Sequence, residues 1–346
     1  MKFTGKLRIA GPCSAESPEQ LLASVAPIEV HNYDVIRAGI WKPRTQPGAF
    51  EGRGEVALSW LHEVGQRLQK PTVVEVATPE HLAMALRANI DMIWIGARTT
   101  VNPFMVQELC EALRGVDVPV FVKNPISPDV SLWEGAIQRF LNVGVRRVAA
   151  IHRGFYSYYA TLYRNEPLWS LPLELKRRLP SLSVLCDPSH IGGSRALLQP
   201  LLQESIDLLF DGWMVEVHAT PDVALSDAQQ QITPLQYNDL IAGLVSKRSM
   251  SSDEKSNLEM RVIRKKIDEC DAQLLRTIGE RLSWVKKIAA LKQQHLVLTL
   301  QPDRWNEILL ATNAEARRMG IAEDLVYAIM QALHQESIKI HREKIV

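Results

Sequence analysis

The chain has 346 residues, 46% of them hydrophobic and 23% charged, a composition that is ordinary for globular proteins and excludes disordered and collagen-like chains. Its formal net charge of +1 gives no reason to expect nucleic acid or an anionic membrane as a partner. No apolar run reaches the roughly 18 residues of a membrane helix, and the amino terminus lacks the apolar stretch of a signal peptide. Since the four cysteines are too scattered for a disulfide framework, we expect a cytoplasmic protein.

Turn-forming residues are distributed unevenly along the chain. All but two of the 18 glycines and all but one of the 19 prolines lie in residues 1–245. Because β/α folds need frequent turns and helical bundles need few, this predicts a turn-rich domain over 1–245 and a helical domain after it.

Short β-branched runs alternate with helical patterns throughout residues 1–245 and predict eight strands. They are residues 7–10, 35–38, 72–77, 92–96, 119–123, 147–152, 183–187 and 213–218. Eight βα units in a domain of this size predict an α/β fold of the (β/α)8, or TIM-barrel, type. A doubly wound open sheet is the alternative, but no Gly-x-Gly-x-x-Gly follows a strand, which argues against a dinucleotide fold.

Residues 246–257 are rich in serine and charge and predict a flexible linker. Beyond them, apolar residues recur at steps of three and four from Leu258 to Ala289, which predicts one amphipathic helix of roughly 35 residues. Two shorter helices are predicted at about 302–318 and 322–345. Since two short helices cannot cover so long an apolar face, residues 258–346 are predicted to be an all-α three-helix domain that dimerises through this face.

Polar residues occupy the carboxyl ends of the predicted strands, where barrel enzymes carry their catalytic groups. The basic residues among them are Arg37, Lys42, Arg98, Lys123, His152 and Arg153. Leaving so many cations unpaired in one cleft would be costly, so they predict a multiply anionic ligand that carries phosphate and carboxylate groups.

A second group at the same rim combines one cysteine, one histidine and two acids. Its members are Cys13, His190, Glu216 and Asp227. One sulfur, one imidazole and two carboxylates suit a catalytic divalent ion with an open position better than a closed structural zinc site. We therefore expect one divalent metal ion, Mn²⁺ or a similar one, as cofactor.

Eight motifs follow the predicted strands in order and resemble those of 3-deoxy-arabino-heptulosonate 7-phosphate (DAHP) synthase, in the branch close to 3-deoxy-manno-octulosonate 8-phosphate synthase. They are GPCSAES (11–17), KPRT (42–45), IGARTT (95–100), VKNP (122–125), HRG (152–154), DPSH (187–190), MVEVH (214–218) and ALSDAQQ (224–230). The resemblance covers nearly all of residues 6–245. KPRT separates the two relatives, since the octulosonate enzymes have Lys-Ala-Asn-Arg-Ser in its place.

This resemblance implies a role for each matching residue. The metal ligands are Cys13, His190, Glu216 and Asp227; phosphoenolpyruvate is bound by Arg37, Lys42, Arg98, Lys123 and Arg153, and erythrose 4-phosphate by Arg44 and Thr45. The metal ion either polarises the aldehyde or positions the water that attacks C2 of phosphoenolpyruvate, and the sequence leaves both roles open. Lys42 is the expected catalytic proton donor to the developing alkoxide.

Cations on the long predicted helix fall on defined faces. Arg281 and Lys292, 11 residues apart, lie within about 20° of one face, whereas Arg264 points about 100° away from Arg281. Residues 264–292, with PDRW (302–305) and HQESIKIH (334–341), resemble the all-helical chorismate mutase. In that family, long helices from two chains entwine in a homodimer that binds the dicarboxylate chorismate.

By this second resemblance, chorismate contacts a set of polar side chains, with one contributed by the partner subunit. The set is Arg264 (from the partner), Arg281, Lys292, Arg304, Ser337 and His341, with Arg281 and Lys292 as the catalytic cations. Trp305 stands where the family usually has an acid, and His341 where a glutamine is common. A protonated His341 could still donate a hydrogen bond, so mutase activity is expected to fall as rising pH deprotonates it.

Three interpretations of the whole chain remain. The leading one is a bifunctional shikimate-pathway enzyme, in which residues 1–245 make DAHP and residues 258–346 convert chorismate to prephenate, with prephenate feedback on the barrel as one form of coupling. In the second, the helical domain is a dimerising, ligand-binding regulatory module with little mutase activity. In the third, the barrel is a metal-dependent aldolase or octulosonate synthase.

Overall fold

The computed structural model describes residues 5–42, 48, 50–158, 161–247, 253–298 and 301–343. Internal contacts divide the chain into two units, Met1–Lys247 and Arg248–Val346. Among the helices in these described ranges, none is long and apolar enough to cross a membrane.

The first unit is a closed barrel of eight parallel strands. The strands are β1 (Leu7–Gly11), β2 (Val35–Ala38), β3 (Thr72–Val76), β4 (Met92–Ile95), β5 (Val120–Lys123), β6 (Val148–His152), β7 (Ser183–Cys186) and β8 (Gly212–Glu216). Each strand pairs with the next, and β8 closes on β1 with Glu216 opposite Gly11. The predicted TIM barrel is confirmed, and the open-sheet alternative is wrong.

Helices follow the strands around the outside of the barrel. They are α1 (Pro18–Val25), α2 (Val56–Leu68), α3 (Pro79–Arg87), α4 (Ala97–Thr100), α5 (Pro103–Ala112), α6 (Val130–Asn142), α7 (Ser170–Arg178), α8 (Pro188–Gly192), α9 (Leu198–Asp207) and α10 (Pro234–Ala242). Several begin with a capping side chain followed by proline, as at Ser17, Thr78 and Asn102. The cap accepts a backbone N–H that has no helical partner, and proline lacks such an N–H, so these sequences fix the helix starts.

Inward-facing side chains fill the barrel and also direct polar residues to its mouth. The interior cluster includes Ile9, Val35, Val73, Trp94, Phe121, Ile151, Leu185 and Met214. Because side chains alternate along a strand, the residue two positions later faces the same interior, nearer the carboxyl end. On β1 and β4 that position is glycine, and on the other six strands it is occupied by Arg37, Glu75, Lys123, Arg153, Asp187 and Glu216.

His152 was expected at the mouth, and this expectation is wrong. The same alternation turns its side chain to the outside of the barrel, where it is fully buried among Trp133, Phe155, Trp169 and Phe210, with ring centroids 5.1–6.4 Å away. Burial lowers the pKa of His152 to about 3, so the ring is neutral. His152 therefore belongs to the core and adds no charge to the mouth.

The second unit contains α11 (Glu254–Gln294), α12 (Pro302–Met319) and α13 (Glu323–Glu343), with α13 packed against both other helices. The long helix begins inside the segment predicted as linker, because Asp253 accepts the backbone N–H groups of Lys255 and Ser256. Residues 248–252 of that segment lie outside the described residues.

Most of α11 is not covered within this unit. Of its described residues only Ala289 is buried, although the helix is 41 residues long. Leu258, Leu274, Leu275 and Trp284 are 60–71% exposed. An apolar face of this length is typical of helices that pack against another chain.

Candidate active site

Three potential metal ligands meet at the mouth of the barrel. Cys13 Sγ and carboxylate oxygens of Glu216 and Asp227 lie within 4.8 Å of one another. Cys13 follows β1 and Glu216 ends β8, so the pairing of these two strands brings their ends together. Asp227 comes from the loop after β8 and has a left-handed backbone with φ of 46°, a conformation that aspartate tolerates better than most residues.

His190, the fourth predicted ligand, lies beside this cluster. Its Nδ1 is 2.9 Å from Asp187 Oδ2, and its Nε2 is 3.8 Å from Glu216 Oε1. Asp187 also caps α8 by accepting the backbone N–H of His190, which fixes the start of that helix. Because Asp187 engages Nδ1, Nε2 is the nitrogen that faces the cluster.

Lys42 contacts the cysteine of the cluster. Its Nζ is 3.0 Å from Cys13 Sγ. Burial raises the pKa of the Cys13 thiol to about 12, and Glu216 adds to this shift. Burial alone would lower the pKa of Lys42, but its hydrogen bond to Cys13 and the negative charge of Glu216 outweigh burial, and the net shift is upward. We take the pair as a thiol beside an ammonium group, and a divalent cation at the cluster would stabilise the thiolate instead.

A cavity of about 550 Å³ adjoins the cluster, and its wall carries four cations and the carboxylate of Glu75. Arg98, Lys123 and Arg153, all predicted from the sequence, contribute to its wall together with Arg164. Burial lowers the pKa of Arg153 to about 10, which leaves it charged at neutral pH. Phosphate and carboxylate groups are the ligands that such a set of fixed cations would attract.

Arg37 and Lys123 are buried, and each has a carboxylate partner. Lys123 Nζ is 2.8 Å from Asp187, and Arg37 NH2 is 3.1 Å from Glu216 Oε1. Arg37 lies over the ring of Trp94, 4.9 Å from its centroid. Its Nε and NH1 make no hydrogen bond within the described residues, so two buried donors remain for a ligand.

Three residues that support this site are not among those predicted from the sequence. Arg164 NH1 donates to Asp227 and to Gln230, and Asn165 accepts from Arg153 while its amide donates to the His190 carbonyl. Arg164 and Asn165 lie in the irregular segment between β6 and α7, which has no periodic pattern to mark them. Gln230 lies within the ALSDAQQ motif, three residues after the predicted ligand Asp227. Arg44 and Thr45 lie outside the described residues.

In the second unit, three of the predicted chorismate contacts come together between α11 and α13. Arg281 NH1 donates to Ser337 Oγ at 3.2 Å, and Ser337 donates to the Leu333 carbonyl. His341 Nδ1 is 2.8 Å from the Ser337 carbonyl, so Nδ1 carries the proton of the neutral ring. Its Nε2 is buried and has no hydrogen-bond partner among the described residues.

The other predicted residues of this unit are more peripheral. Arg304 forms an exposed ion pair with Glu307, and Arg264 is exposed on α11. Lys292 is half-buried near the end of α11. Trp305, which replaces the expected acid, stacks on His334 with ring centroids 4.2 Å apart.

Comparison with known proteins identifies both units. The family model described as DAHP synthetase I matches residues 5–250, and the model described as chorismate mutase type II matches residues 263–342. A phospho-2-dehydro-3-deoxyheptonate aldolase of Thermotoga maritima is 30% identical over 233 residues, which cover 67% of each chain. A 2-dehydro-3-deoxyphosphooctonate aldolase of Desulfotalea psychrophila is 29% identical over 266 residues, 70% of this chain and 90% of that one.

Further similarities support the same two families. The crystal structure of the Thermotoga maritima DAHP synthase has a TM-score of 0.60 and 28% identity, over 69% of this chain and 68% of that chain. The T-protein of Haemophilus influenzae is 31% identical over 75 residues, 22% of this chain and 20% of the T-protein. The chain therefore belongs to the DAHP synthetase I family and carries a type II chorismate mutase domain after its barrel.

Proposed function

We propose that the barrel condenses phosphoenolpyruvate with erythrose 4-phosphate, using a divalent metal ion, and that the helical domain rearranges chorismate to prephenate as a homodimer. One observation carries the first half of this proposal. The thiol and carboxylate cluster of Cys13, Glu216 and Asp227 lies next to a cavity whose wall carries Arg98 and Lys123 among its cations.

The donor set fits a catalytic metal ion. Sulfur and carboxylate oxygen lie within 4.8 Å of one another, and Glu216 Oε1 is a buried oxygen without a hydrogen bond in the described part of the chain. Cys13, Glu216, Asp227 and His190 would hold the ion. When bound, it would supply Lewis acidity toward a substrate oxygen or toward the attacking water.

Charge complementarity supports phosphoenolpyruvate as the ligand of the cavity. Its phosphate and carboxylate carry up to about three negative charges at neutral pH, which a cluster of fixed cations neutralises. Arg98, Lys123 and Arg153 would hold these groups. The two unpartnered donors of Arg37 supply further hydrogen bonds, Lys42 assists at the cluster side, and Arg44 and Thr45 would receive the sugar phosphate.

Lys42 is the proposed proton donor. In the condensation, C3 of phosphoenolpyruvate attacks the aldehyde carbon of the sugar, water adds to C2, and the resulting hemiketal phosphate expels phosphate. The aldehyde oxygen becomes an alkoxide that needs a proton. The raised pKa of Lys42 keeps its ammonium group protonated beside the Cys13 cluster, so it can deliver that proton.

The mutase proposal rests on Arg281 and its neighbours. Arg281 on α11 donates to Ser337 on α13, and His341 contacts the Ser337 carbonyl within α13. The rearrangement of chorismate is unimolecular and needs only positioned charges. The exposed apolar face of α11 supports a homodimer, in which Arg264 would reach the partner's site. Lys292 is the proposed donor to the ether oxygen, and Arg304 would bind a carboxylate.

Two assays on the full chain test the barrel proposal. Phosphate release from phosphoenolpyruvate should require a four-carbon sugar phosphate, should stop on treatment with a chelator and should return with Mn²⁺. Cys13→Ala should resist this rescue, whereas Cys110→Ala, at a buried cysteine of α5, should not. Full activity of chelator-treated protein would refute the metal proposal, and preference for a five-carbon sugar phosphate would favour an octulosonate synthase.

A regulatory helical domain is the second candidate. The stacking of Trp305 on His334, in place of an acid beside Arg304, favours a ligand-binding module with little mutase activity. Chorismate consumption by the full chain decides between the two candidates, since the regulatory module predicts almost none. If prephenate leaves phosphate release unchanged at saturation, feedback on the barrel is eliminated.

A further inference from the structure

We infer that Arg164 and Gln230 are positioning residues that hold both carboxylates of the proposed metal site by their outer oxygens. This inference rests on the metal site proposed above and adds residues that are not themselves ligands. It concerns the outer layer of that site, where hydrogen bonds to coordinating carboxylates orient them and tune metal affinity.

A continuous chain of hydrogen bonds links the two carboxylates. Gln230 Nε2 donates to Glu216 Oε2 at 2.5 Å, and Arg164 NH1 donates to Asp227 Oδ1 at 3.1 Å. The same Arg164 nitrogen lies 2.7 Å from Gln230 Oε1. The order along the chain of contacts is Glu216, Gln230, Arg164 and Asp227.

The remaining oxygen of each carboxylate faces the cluster. Asp227 Oδ2 is 3.3 Å from Cys13 Sγ. Glu216 Oε1 makes no hydrogen bond in the described ranges, and Arg37 NH2 lies 3.1 Å from it as an ion-pair partner. Each carboxylate thus presents one oxygen inward and has the other held from outside. Without these outer hydrogen bonds each carboxylate could rotate. Metal binding would then have to fix its orientation, and the entropy lost in doing so would weaken the affinity.

Arg164 also decides which way the Gln230 amide points. A carboxamide has one donating and one accepting end, and the two ends differ little in shape. Arg164 can only donate, so it selects the oxygen of Gln230 and turns the amide N–H toward Glu216. Loss of this contact would allow the amide to present its oxygen to the carboxylate of Glu216, which is repulsive. The effect of Arg164 therefore reaches both carboxylates.

Burial separates the roles of the two residues. Gln230 is 1% exposed beside the fully buried Glu216, so its amide cannot be replaced by water without rearrangement. The side chain of Arg164 is 46% exposed, so its substitution should destabilise the fold less than substitution of Gln230. The contact that Arg164 adds is directional more than electrostatic, since solvent screens its charge.

Metal affinity of the full chain tests the inference, with Gln230→Met and Arg164→Lys as the variants. Both keep the net charge, so a change in affinity does not reflect a simple gain or loss of charge. Free Mn²⁺ is measured by electron paramagnetic resonance under reducing conditions, and Co²⁺ absorption reports on the thiolate ligand and the coordination geometry. Gln138→Met is the matched control, because its amide contacts Glu134 at 2.9 Å on the exposed face of α6.

We expect each variant to weaken Mn²⁺ binding by about tenfold to a hundredfold and to change the Co²⁺ spectrum, while Gln138→Met changes neither. The double variant should lose less than the product of the two single losses, because both substitutions break the same chain of contacts. If unmodified protein binds no Mn²⁺, the proposed metal site fails. If it binds Mn²⁺ and both variants bind Mn²⁺ equally well, only the positioning role fails. If the double variant loses as much affinity as the product of the two single losses, the coupling between Arg164 and Gln230 is refuted. If Gln230→Met does not fold, the Mn²⁺ affinity of Arg164→Lys alone tests the positioning role.

Discussion

The buried His152 should make the barrel sensitive to mild acid, and His152→Phe should remove that sensitivity. The imidazole is enclosed by four aromatic rings, and neither nitrogen has a hydrogen-bond partner among the described residues. Burial is the main cause of its low pKa. The Pro167 carbonyl, which lies near the ring but outside hydrogen-bond geometry, and Asp187 oppose the shift, whereas Arg153 adds to it. Phenylalanine has nearly the same shape and does not titrate, so it removes the proton without opening a cavity.

The expected magnitude follows from proton linkage. The unfolded imidazole has a pKa of about 6.5 and the folded one a pKa of about 3, so below pH 6.5 the unfolded chain binds a proton that the folded chain does not. Stability due to this residue therefore falls as the pH drops, and it stops falling only near the folded pKa. Between pH 7 and pH 5 the loss is about 2 kcal/mol, and it hardly changes for any folded pKa below about 4.

Urea unfolding at pH 7 and pH 5 measures this loss, followed by the fluorescence of tryptophans such as Trp133 and Trp169 in the barrel. Other groups also titrate. The free energy of unfolding lost between pH 7 and pH 5 is therefore compared between the unmodified chain and His152→Phe. His31→Phe is the control, because that side chain is 75% exposed and its ion pair with Glu29 is open to solvent. Equal pH dependence in the unmodified chain and His152→Phe would refute the reasoning.

Three further predictions concern other sites. The tautomer that donates Nδ1–H to the Ser337 carbonyl leaves His341 Nε2 without a proton to donate, so His341→Gln, whose amide can donate a hydrogen bond, should raise the rate of chorismate consumption. Trp94→Phe removes the indole N–H that holds the carboxylate of Glu75 in the cavity wall. Because this carboxylate then lacks its hydrogen bond, kcat/KM for phosphoenolpyruvate should fall about tenfold in the phosphate-release assay. Burial alone would raise the pKa of Asp34, but hydrogen bonds from Arg8 hold it below its usual value. Asp34→Asn should therefore lower the free energy of unfolding in urea by less than about 1 kcal/mol at neutral pH, and this loss should shrink as the pH falls through the lowered pKa.

The barrel was predictable because its strands are short, apolar and regularly spaced. Every strand starts and ends within two residues of its predicted limits. Strand alternation then places Arg37, Lys123 and Glu216 toward the mouth, so the sequence also indicates which polar residues can meet. The proximity of Cys13 to Glu216 follows from closure of the barrel, because the first and last strands become neighbours only in a closed sheet.

The outer layer of the site could not be predicted in this way. Arg164 lies in an irregular segment whose path depends on tertiary contacts, and no local pattern shows that it will meet Asp227. The position of His152 at a strand end does not by itself place it at the mouth, because successive side chains of a strand point to opposite faces of the sheet. The earlier start of α11 has a local cause, the Asp253 cap, which the low hydrophobicity of the preceding residues concealed.

Closure of the barrel between β1 and β8 has a consequence for synthesis of the protein. Leu7 pairs with Gly212, and a Cβ at Gly212 would lie 2.0 Å from the Leu7 carbonyl oxygen, so this contact leaves no room for a side chain. At roughly 5–20 residues per second, the ribosome takes some ten seconds or more to make the strand that β1 needs as its partner. During that time β1 has one edge uncovered. The proposed metal ion, held between Cys13 and Glu216, would link the first strand made to the last.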